Sequence, residues 1–269
     1  MTSSSSLPLT GKTILVTRSV GQSGEFTKKL QQAGATVIEM PAIEIGAPSS
    51  WEALDNAIAQ LETFNWLILT STNGVDYFFE RLAAGGKDIS ADSKVKIAVV
   101  GKKTANSLKQ HDLQPDFIPP NFVADSLVEN FPELLAGKKL LFPRVETGGR
   151  EVLVQELSAK GANVVEVAAY ESRCPDAISP PAFNALSRQA VDIIAFASSK
   201  TVKNFYQLAE ASGLTDKLEK VAIASIGPQT SLTCQQLLGR VDVEAREYTL
   251  DGLTDVIINW ATTRQHSAI

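Results

Sequence analysis

Lys94-Val95-Lys96-Ile97-Ala98-Val99-Val100-Gly101-Lys102-Lys103-Thr104 returns about 126 residues later as Lys220-Val221-Ala222-Ile223-Ala224-Ser225-Ile226-Gly227-Pro228-Gln229-Thr230. Working outward, Gly11-Lys12 falls on Gly137-Lys138 and Arg18 on Arg144. After a slip of one residue, Gly34-Ala35 falls on Gly161-Ala162, Glu44 on Glu171, and Ser71, Val75 and Phe78 on Ser198, Val202 and Phe205. Such a period is too long for a solenoid, whose units run to about 50 residues, but it is the size of a whole domain. The chain is therefore written twice. Two similar domains facing each other are expected to enclose a cleft, and function is sought there.

With 269 residues, 44% apolar and 20% charged, the chain is long enough for two buried cores. A net charge of −5 argues against a general nucleic-acid surface. The two cysteines, Cys174 and Cys234, lack metal-ligand spacing, and His111 and His266 sit in polar or terminal surroundings, so neither metal nor disulfide is expected. Met1 to Thr10 is Ser-rich, with no basic residue and no apolar core of signal-peptide length, and reads as a short lead-in. No apolar run approaches the ~18 residues of a membrane span. The expectation is a cytoplasmic monomer that binds neither nucleic acid nor membrane.

Apolar runs rich in β-branched residues alternate with amphipathic stretches along both copies. In the first they are 13–17, 36–45, 66–70, 96–100 and 115–118; in the second, 139–142, 163–170, 192–197, 221–226 and 241–245. Strand and helix repeated five times per copy predict two flavodoxin-like α/β domains with mostly parallel sheets. The second run of each copy, 36–45 and 163–172, exceeds the modal strand of about 5–6 residues. Such a strand can leave one domain and enter the other, and the pattern alone leaves open whether the two copies exchange segments this way.

Six strand ends carry turns of small and hydroxylated residues. These are Arg18-Ser19-Val20-Gly21-Gln22-Ser23-Gly24, Thr70-Ser71-Thr72-Asn73-Gly74 and Gly101-Lys102-Lys103-Thr104 in the first copy. The second copy has the turn from Pro143 to Arg150, Ala197-Ser198-Ser199-Lys200-Thr201, and Gly227-Pro228-Gln229-Thr230. In open parallel sheets ligands bind beyond the carboxyl ends of the strands. A hydroxyl there can simply cap a helix, but the free amides of a helix N-terminus also favour an anion. With Arg18, Lys102, Lys103, Arg144, Arg150 and Lys200 interspersed, the six turns predict a ligand bearing several carboxylates or phosphates.

No G-x-G-x-x-G, phosphate-binding P-loop, G-x-S-x-G or zinc signature is present. A cleft without a histidine base suits a reaction that needs positioning, charge stabilisation and at most one weak acid. Tyr170 is the candidate for that acid: an aromatic residue in a strand is more often packing, but this one replaces Ile43 of the first copy at the end of the second long run, and the break of symmetry points to function. Tyr206 and Tyr248, and Trp51, Trp66 and Trp260, read as packing or surface residues.

Several segments carry a resemblance: Ile14-Leu15-Val16-Thr17-Arg18, Pro41-Ala42-Ile43-Glu44, Leu69-Thr70-Ser71-Thr72-Asn73-Gly74-Val75, Val99-Val100-Gly101-Lys102-Lys103-Thr104-Ala105, Val167-Ala168-Ala169-Tyr170-Glu171, Phe196-Ala197-Ser198-Ser199 and Ile226-Gly227-Pro228-Gln229-Thr230. In order and spacing, from about Gly11 to Trp260, the chain resembles the uroporphyrinogen-III synthase family. The resemblance implies two α/β domains joined by a two-stranded antiparallel linker, about 36–45 and 163–172. One domain would be built from 1–43 and 172–269, so that the N-terminal segment packs with the C-terminal half, and the other from 44–171.

The activity implied is a cyclising lyase of porphyrin and heme biosynthesis. Hydroxymethylbilane, a linear tetrapyrrole with eight carboxylates, loses its terminal hydroxyl and closes to uroporphyrinogen III with ring D inverted through a spiro intermediate. No cofactor or metal is implied, and a transient contact with hydroxymethylbilane synthase is. The family's tyrosine, proposed to assist departure of the hydroxyl, matches Tyr170, and its G-P-x-T hydroxyl matches Thr230. Contacts carried over are Arg18, Ser71, Thr72, Thr104, Ser198, Ser199 and Gly227. Gln229 departs from the pattern, because some members carry a second threonine there. The alternatives are a non-catalytic two-domain solute-binding protein for a polyanionic small molecule, against which the missing secretion signal stands, and a two-domain glycosyltransferase, for which the chain is short.

Overall fold

The computed structural model describes residues 7–18, 24–90, 93–121, 124–148 and 151–266. The chain opens with β1 (Thr13–Val16), α1 (Gly24–Gln32), β2 (Thr36–Glu39), β3 (Glu44–Gly46) and α2 (Glu52–Ala59). It continues through β4 (Trp66–Leu69), α3 (Thr72–Ala84), β5 (Lys96–Val99), α4 (Lys102–Leu108) and α5 (Ala124–Glu129). Next come β6 (Lys139–Val145), α6 (Glu151–Ala159), β7 (Asn163–Arg173), α7 (Pro180–Ser187) and β8 (Ile193–Phe196). The last elements are α8 (Ser199–Ala211), β9 (Ala222–Ser225), α9 (Pro228–Leu238), β10 (Val243–Glu244) and α10 (Leu250–His266).

Two five-stranded sheets result, in the orders β10-β9-β8-β1-β2 and β3-β7-β6-β4-β5. The pairings of β1 with β2 and β8, and of β4 with β5 and β6, are parallel. The predicted α/β class with parallel sheets is thus what the chain adopts. Compact units follow the sheets: Met1–Glu44 with Arg173–Ile269, and Ile45–Ser172. β1 and β2 of the first copy sit beside β8 to β10 of the second, while β6 and β7 of the second copy sit beside β4 and β5 of the first.

The repeat is visible bond by bond. The Thr13 amide donates to the Asp192 carboxylate at 2.8 Å, and the Lys139 amide, its counterpart, donates to the Asn65 side-chain oxygen at 2.8 Å. Ile97 N–H donates to Asp116 at 2.7 Å and Ile223 N–H to Asp242 at 2.8 Å. Gly34 and Gly161, matching residues after α1 and α6, both take left-handed φ, +100° and +88°. A Cβ on Gly34 would lie 2.8 Å from that of Leu7, so only glycine fits that turn.

β4, β8 and β9 are buried at every position, as strands covered by helices on both faces must be. Leu67 joins Val75, Phe78 and Val99 in the core of one unit, and Ile194 joins Phe205, Ile223 and Leu186 in that of the other. Each such side chain contributes about 1.5–3 kcal/mol of burial, and truncating one to alanine costs about 2–5 kcal/mol once the cavity is counted.

Three strand expectations need correction. The run 36–45 is two strands, β2 and β3, in different sheets. Pro41 interrupts it because proline has no amide to give the ladder, although Met40 and Ala42 still donate to Val16 and Thr17. The run 115–118, which opens on Pro115 and is followed by Pro119 and Pro120, leaves one isolated bridge from Phe117 to Ala98. The run 241–245 shrinks to the two residues of β10.

Candidate functional site

In the unit Ile45–Ser172 the turns after β4, β5 and β6 follow the carboxyl ends of parallel-paired strands; in the other, the turns after β8 and β9 do the same, and Arg18 follows the end of β1. Ser19 to Ser23, Gly149 and Arg150 fall outside the described residues. The turns after β4 and β8 are near copies. Ser71 caps α3 by accepting from the Gly74 amide at 2.9 Å, and Ser198 caps α8 by accepting from the Thr201 amide at 3.2 Å. Both serines hold extended backbone, with ψ near 155°.

Here the copies part. The Ser71 hydroxyl also lies 3.0 Å from Tyr170 Oη. Tyr170 is 9% exposed, and its ring stacks on Tyr77 with centroids 6.0 Å apart. Tyr77 is fixed in turn by a 3.3 Å bond from its hydroxyl to the Ile45 carbonyl and by Trp51 stacked at 6.4 Å. Arg81 lies over Trp51 and forks onto Asp55 with two bonds of 2.6 Å. The side-chain bond from Arg81 holds the Asp55 carboxyl below the usual carboxylate range, against a smaller opposing effect of burial.

A bulge sets Tyr170 in place. Along β6 and β7, Arg144 pairs with Ala168 and Val145 with Tyr170, so Ala169 is the extra residue and the alternation of faces is reset just before the tyrosine. Gly74 completes the fit: a Cβ there would come within 3.1 Å of Ser71 Oγ and 3.9 Å of the Tyr170 ring. Sequence reading found Tyr170 and Ser71 but not their contact, nor Tyr77, which reads only as one residue of an amphipathic helix.

The two G-x-x-T turns also diverge. Thr104 and Thr230 are each 4% exposed. The Thr104 hydroxyl donates to the Val100 carbonyl at 2.9 Å, whereas that of Thr230 makes no hydrogen bond to any described residue. Gly227 is buried beneath Tyr248, which is itself 66% exposed, and a Cβ on Gly227 would lie 2.9 Å from that ring. Ser199 donates to the Gln229 carbonyl at 2.9 Å, tying the start of α8 to the start of α9. Thr72 is half-buried in the first turn of α3.

Among the cations, Arg18 is half-buried, and burial lowers its guanidinium below the ordinary arginine value. Lys102, Lys103 and Lys200 are exposed. Arg144 differs from expectation: Glu166 holds it in an ion pair and it donates to the Gly148 carbonyl at 2.6 Å, so its charge is taken inside the protein. The turn after β6 is further engaged by carboxylates, with Glu146 on the Ser49 amide at 2.8 Å and Glu171 on the Thr147 amide at 2.9 Å.

His111, expected in polar surroundings, stacks on Phe79 at 4.3 Å. Burial pushes the Cys234 thiol up to about 12. Among the described residues no group of three or more His, Cys, Asp or Glu could hold a metal ion, and no helix is long and apolar enough to cross a membrane.

The family model for uroporphyrinogen-III synthase HemD matches residues 24–255. A uroporphyrinogen-III synthase of Synechococcus elongatus is 57% identical over 257 residues, covering 94% of this chain and 97% of its own length. Another, from Chlorobaculum parvum, is 29% identical over 237 residues, covering 86% and 92%. Among solved structures, a uroporphyrinogen-III synthetase of Helicobacter pylori aligns with TM-score 0.60 at 19% identity, covering 93% of this chain and 99% of its own. A mutant uroporphyrinogen III synthase of Thermus thermophilus aligns with TM-score 0.57 at 17% identity, covering 94% and 99%. These two support the fold.

Proposed function

The chain belongs to the uroporphyrinogen-III synthase family, and we propose that it acts as a cyclising lyase of tetrapyrrole biosynthesis, converting hydroxymethylbilane to uroporphyrinogen III with loss of water and inversion of ring D. The observation that carries the residue-level reading is a break in the duplicated pair of capped turns. A phenol stands on the Ser71 cap and no tyrosine occupies the matching position, Ile43, of the other copy.

In this reading the pyrrole pushes out the terminal hydroxyl, the C–O bond breaks, and Tyr170 gives its proton to the departing oxygen, so that water, an azafulvenium cation and a tyrosinate result, and the proton lost when the last ring rearomatises after closure restores the phenol. General acid assistance of this kind is worth about 10²–10⁴-fold. The substituted carbon of the last ring then attacks, and the spiro intermediate fragments and recloses with that ring inverted. Thr230, with its hydroxyl uncommitted within the described protein, is the second catalytic group. The rest of the work is holding the substrate so that the substituted carbon is the one presented.

The carboxylates are taken by the turns: by the helix-start amides around Ser71, Thr72, Thr104, Ser198, Ser199 and Gly227, and by Arg18. A chain of net charge −5 repels an octa-anion at long range, so these local donors supply the affinity. Each sheet is read as flavodoxin-like, with 36–45 and 163–172 as an antiparallel linker; the division of the chain and the mixing of copies within each sheet support this. The same reading makes the protein a cytoplasmic monomer working without cofactor or metal, in transient contact with the synthase that makes its unstable substrate.

Incubating the protein with hydroxymethylbilane and resolving the uroporphyrinogen isomers tests the reading. The inverted isomer should dominate well above the uncatalysed background, and a product mixture identical to that background overturns it.

A further inference from the structure

Ser71 and Ser198 are matching caps, so whatever a cap needs, both supply. Ser198 Oγ finds its other partner within its own turn, Thr201 Oγ1 at 3.4 Å, whereas Ser71 Oγ reaches another element, the Tyr170 phenol on β7 at 3.0 Å. The Gly74 amide points its proton at Ser71 Oγ, which uses one lone pair of that oxygen and leaves the serine O–H to be placed. Tyr170 Oη is the acceptor that the described residues offer it.

We propose that Ser71 is a positioning residue for Tyr170, donating its hydroxyl proton to the phenolic oxygen so that the phenol's own proton is turned away from α3 and left free for transfer. The inference rests on the acid role of Tyr170 given above. Direction is the point of it. A phenol that donated to Ser71 would have its proton committed, whereas a phenol that accepts from Ser71 keeps it.

The chain Gly74 N–H to Ser71 O–H to Tyr170 Oη begins at the N-terminus of a 13-residue helix, where the dipole is positive. Successive hydrogen bonds polarise one another, so the oxygen that must give up a proton faces the positive end of an aligned row. The ring has little freedom to leave that row. Tyr77 stacks on one face, its hydroxyl pinned to Ile45. Gly74 has no side chain to push the two oxygens apart.

The duplicated cap supplies the control. Ser71→Ala should lower kcat about 10- to 100-fold, the range for a hydrogen bond to a group that develops charge, with KM nearly unchanged. In the Tyr170→Phe background the same change should cost less than about twofold, because the oxygen it serves is gone. Ser198→Ala removes an equivalent cap and should keep its full effect in both backgrounds. Ser71→Thr, which retains a hydroxyl and a cap, should recover most of the rate.

A readout independent of catalysis accompanies these. With only four tyrosines in the chain, labelled-tyrosine NMR resolves residue 170, identified by its loss in Tyr170→Phe. Its resonance should move in Ser71→Ala and stay in Ser198→Ala. Equal rate losses from Ser71→Ala with and without the Tyr170 hydroxyl, or an unmoved resonance, overturn the proposal. Lack of cyclisation by the wild-type protein would instead overturn the function and leave the resonance to decide the contact.

Discussion

Tyr170→Phe separates an acid from a packing residue because the structure fixes what the substitution removes. The ring stays, and with it the stack on Tyr77 and the fit over Gly74. One hydrogen bond goes, the 3.0 Å contact with Ser71, and Ser71 Oγ remains satisfied by the Gly74 amide. The stability cost is therefore about 1 kcal/mol, a fall in Tm of about 2–4 °C for a chain of this size. Even from a total stability of about 5 kcal/mol, that leaves only about 0.1% unfolded, far too little to change a measured rate.

If the phenol protonates the departing hydroxyl, turnover should drop by about 10²–10⁴-fold, or about 3–5 kcal/mol of barrier. Because the substrate also ionises unaided, some turnover survives, and its product should still be mainly the inverted isomer. Steady-state rates with isomer analysis and a thermal melt make the comparison, with Tyr248→Phe, an exposed ring, as the reference that should do little. Full activity in Tyr170→Phe refutes the reasoning, and so does a rate loss accompanied by a fall in Tm of ten degrees or more.

Three further outcomes follow from particular contacts. With backbone amides carrying most of the load in the proposed binding mode, Thr72→Ala, Ser198→Ala and Ser199→Ala should each weaken substrate binding by about 1 kcal/mol; a hundredfold loss in kcat from any of them would mark a catalytic group instead. Thr104→Val should cost about 1 kcal/mol of stability by orphaning the Val100 carbonyl, while Thr230→Val should leave the melt unchanged and lower turnover; the reverse pattern would remove Thr230 from the reaction.

Glu133 supplies the pH test. Bonds from Lys138 at 2.6 Å, from Lys96 at 3.1 Å and from the buried Trp66 indole at 2.8 Å lower its carboxyl from the ordinary 4.5 to about 2. A depressed folded value means the stabilisation is whole above pH 4.5 and disappears as pH falls through about 2. Glu133→Gln should thus cost about 1–2 kcal/mol at pH 7, partly screened by solvent, and the two unfolding curves should converge near pH 2; a gap that persists there refutes the assignment.

The class of the fold was legible because hydrophobic runs and their repetition are local facts, and the sheets took up most of the runs that the pattern marked. What failed had local causes outside hydrophobicity: Pro41 cut one long strand into β2 and β3, and the prolines around Phe117 reduced another to a bridge. At the site, residue types were legible and partners were not. Arg144 reads as a cation for an anionic ligand, yet Glu166, one strand over, consumes its charge. No rule of spacing places residues 22 apart in an ion pair unless the register of β6 on β7 is known.

The bulge at Ala169 shows why a duplicated chain had to be read for its exceptions. Duplication hands the fold two similar sets of turns, with matching bonds at Thr13 and Lys139, at Ile97 and Ile223, and at Ser71 and Ser198. In the proposed reaction, chemistry at one end of a repeating substrate calls for a group that occurs once. Tyr170 is the group proposed for it, and the structure gives it what its counterpart Ile43 lacks: an extra residue before it to set its direction, a glycine 3.9 Å from its ring at the Cβ position, and a capping serine 3.0 Å from its hydroxyl. The symmetric bonds build the scaffold, and the departures at Ser71, Gly74 and Ala169 meet at the Tyr170 phenol.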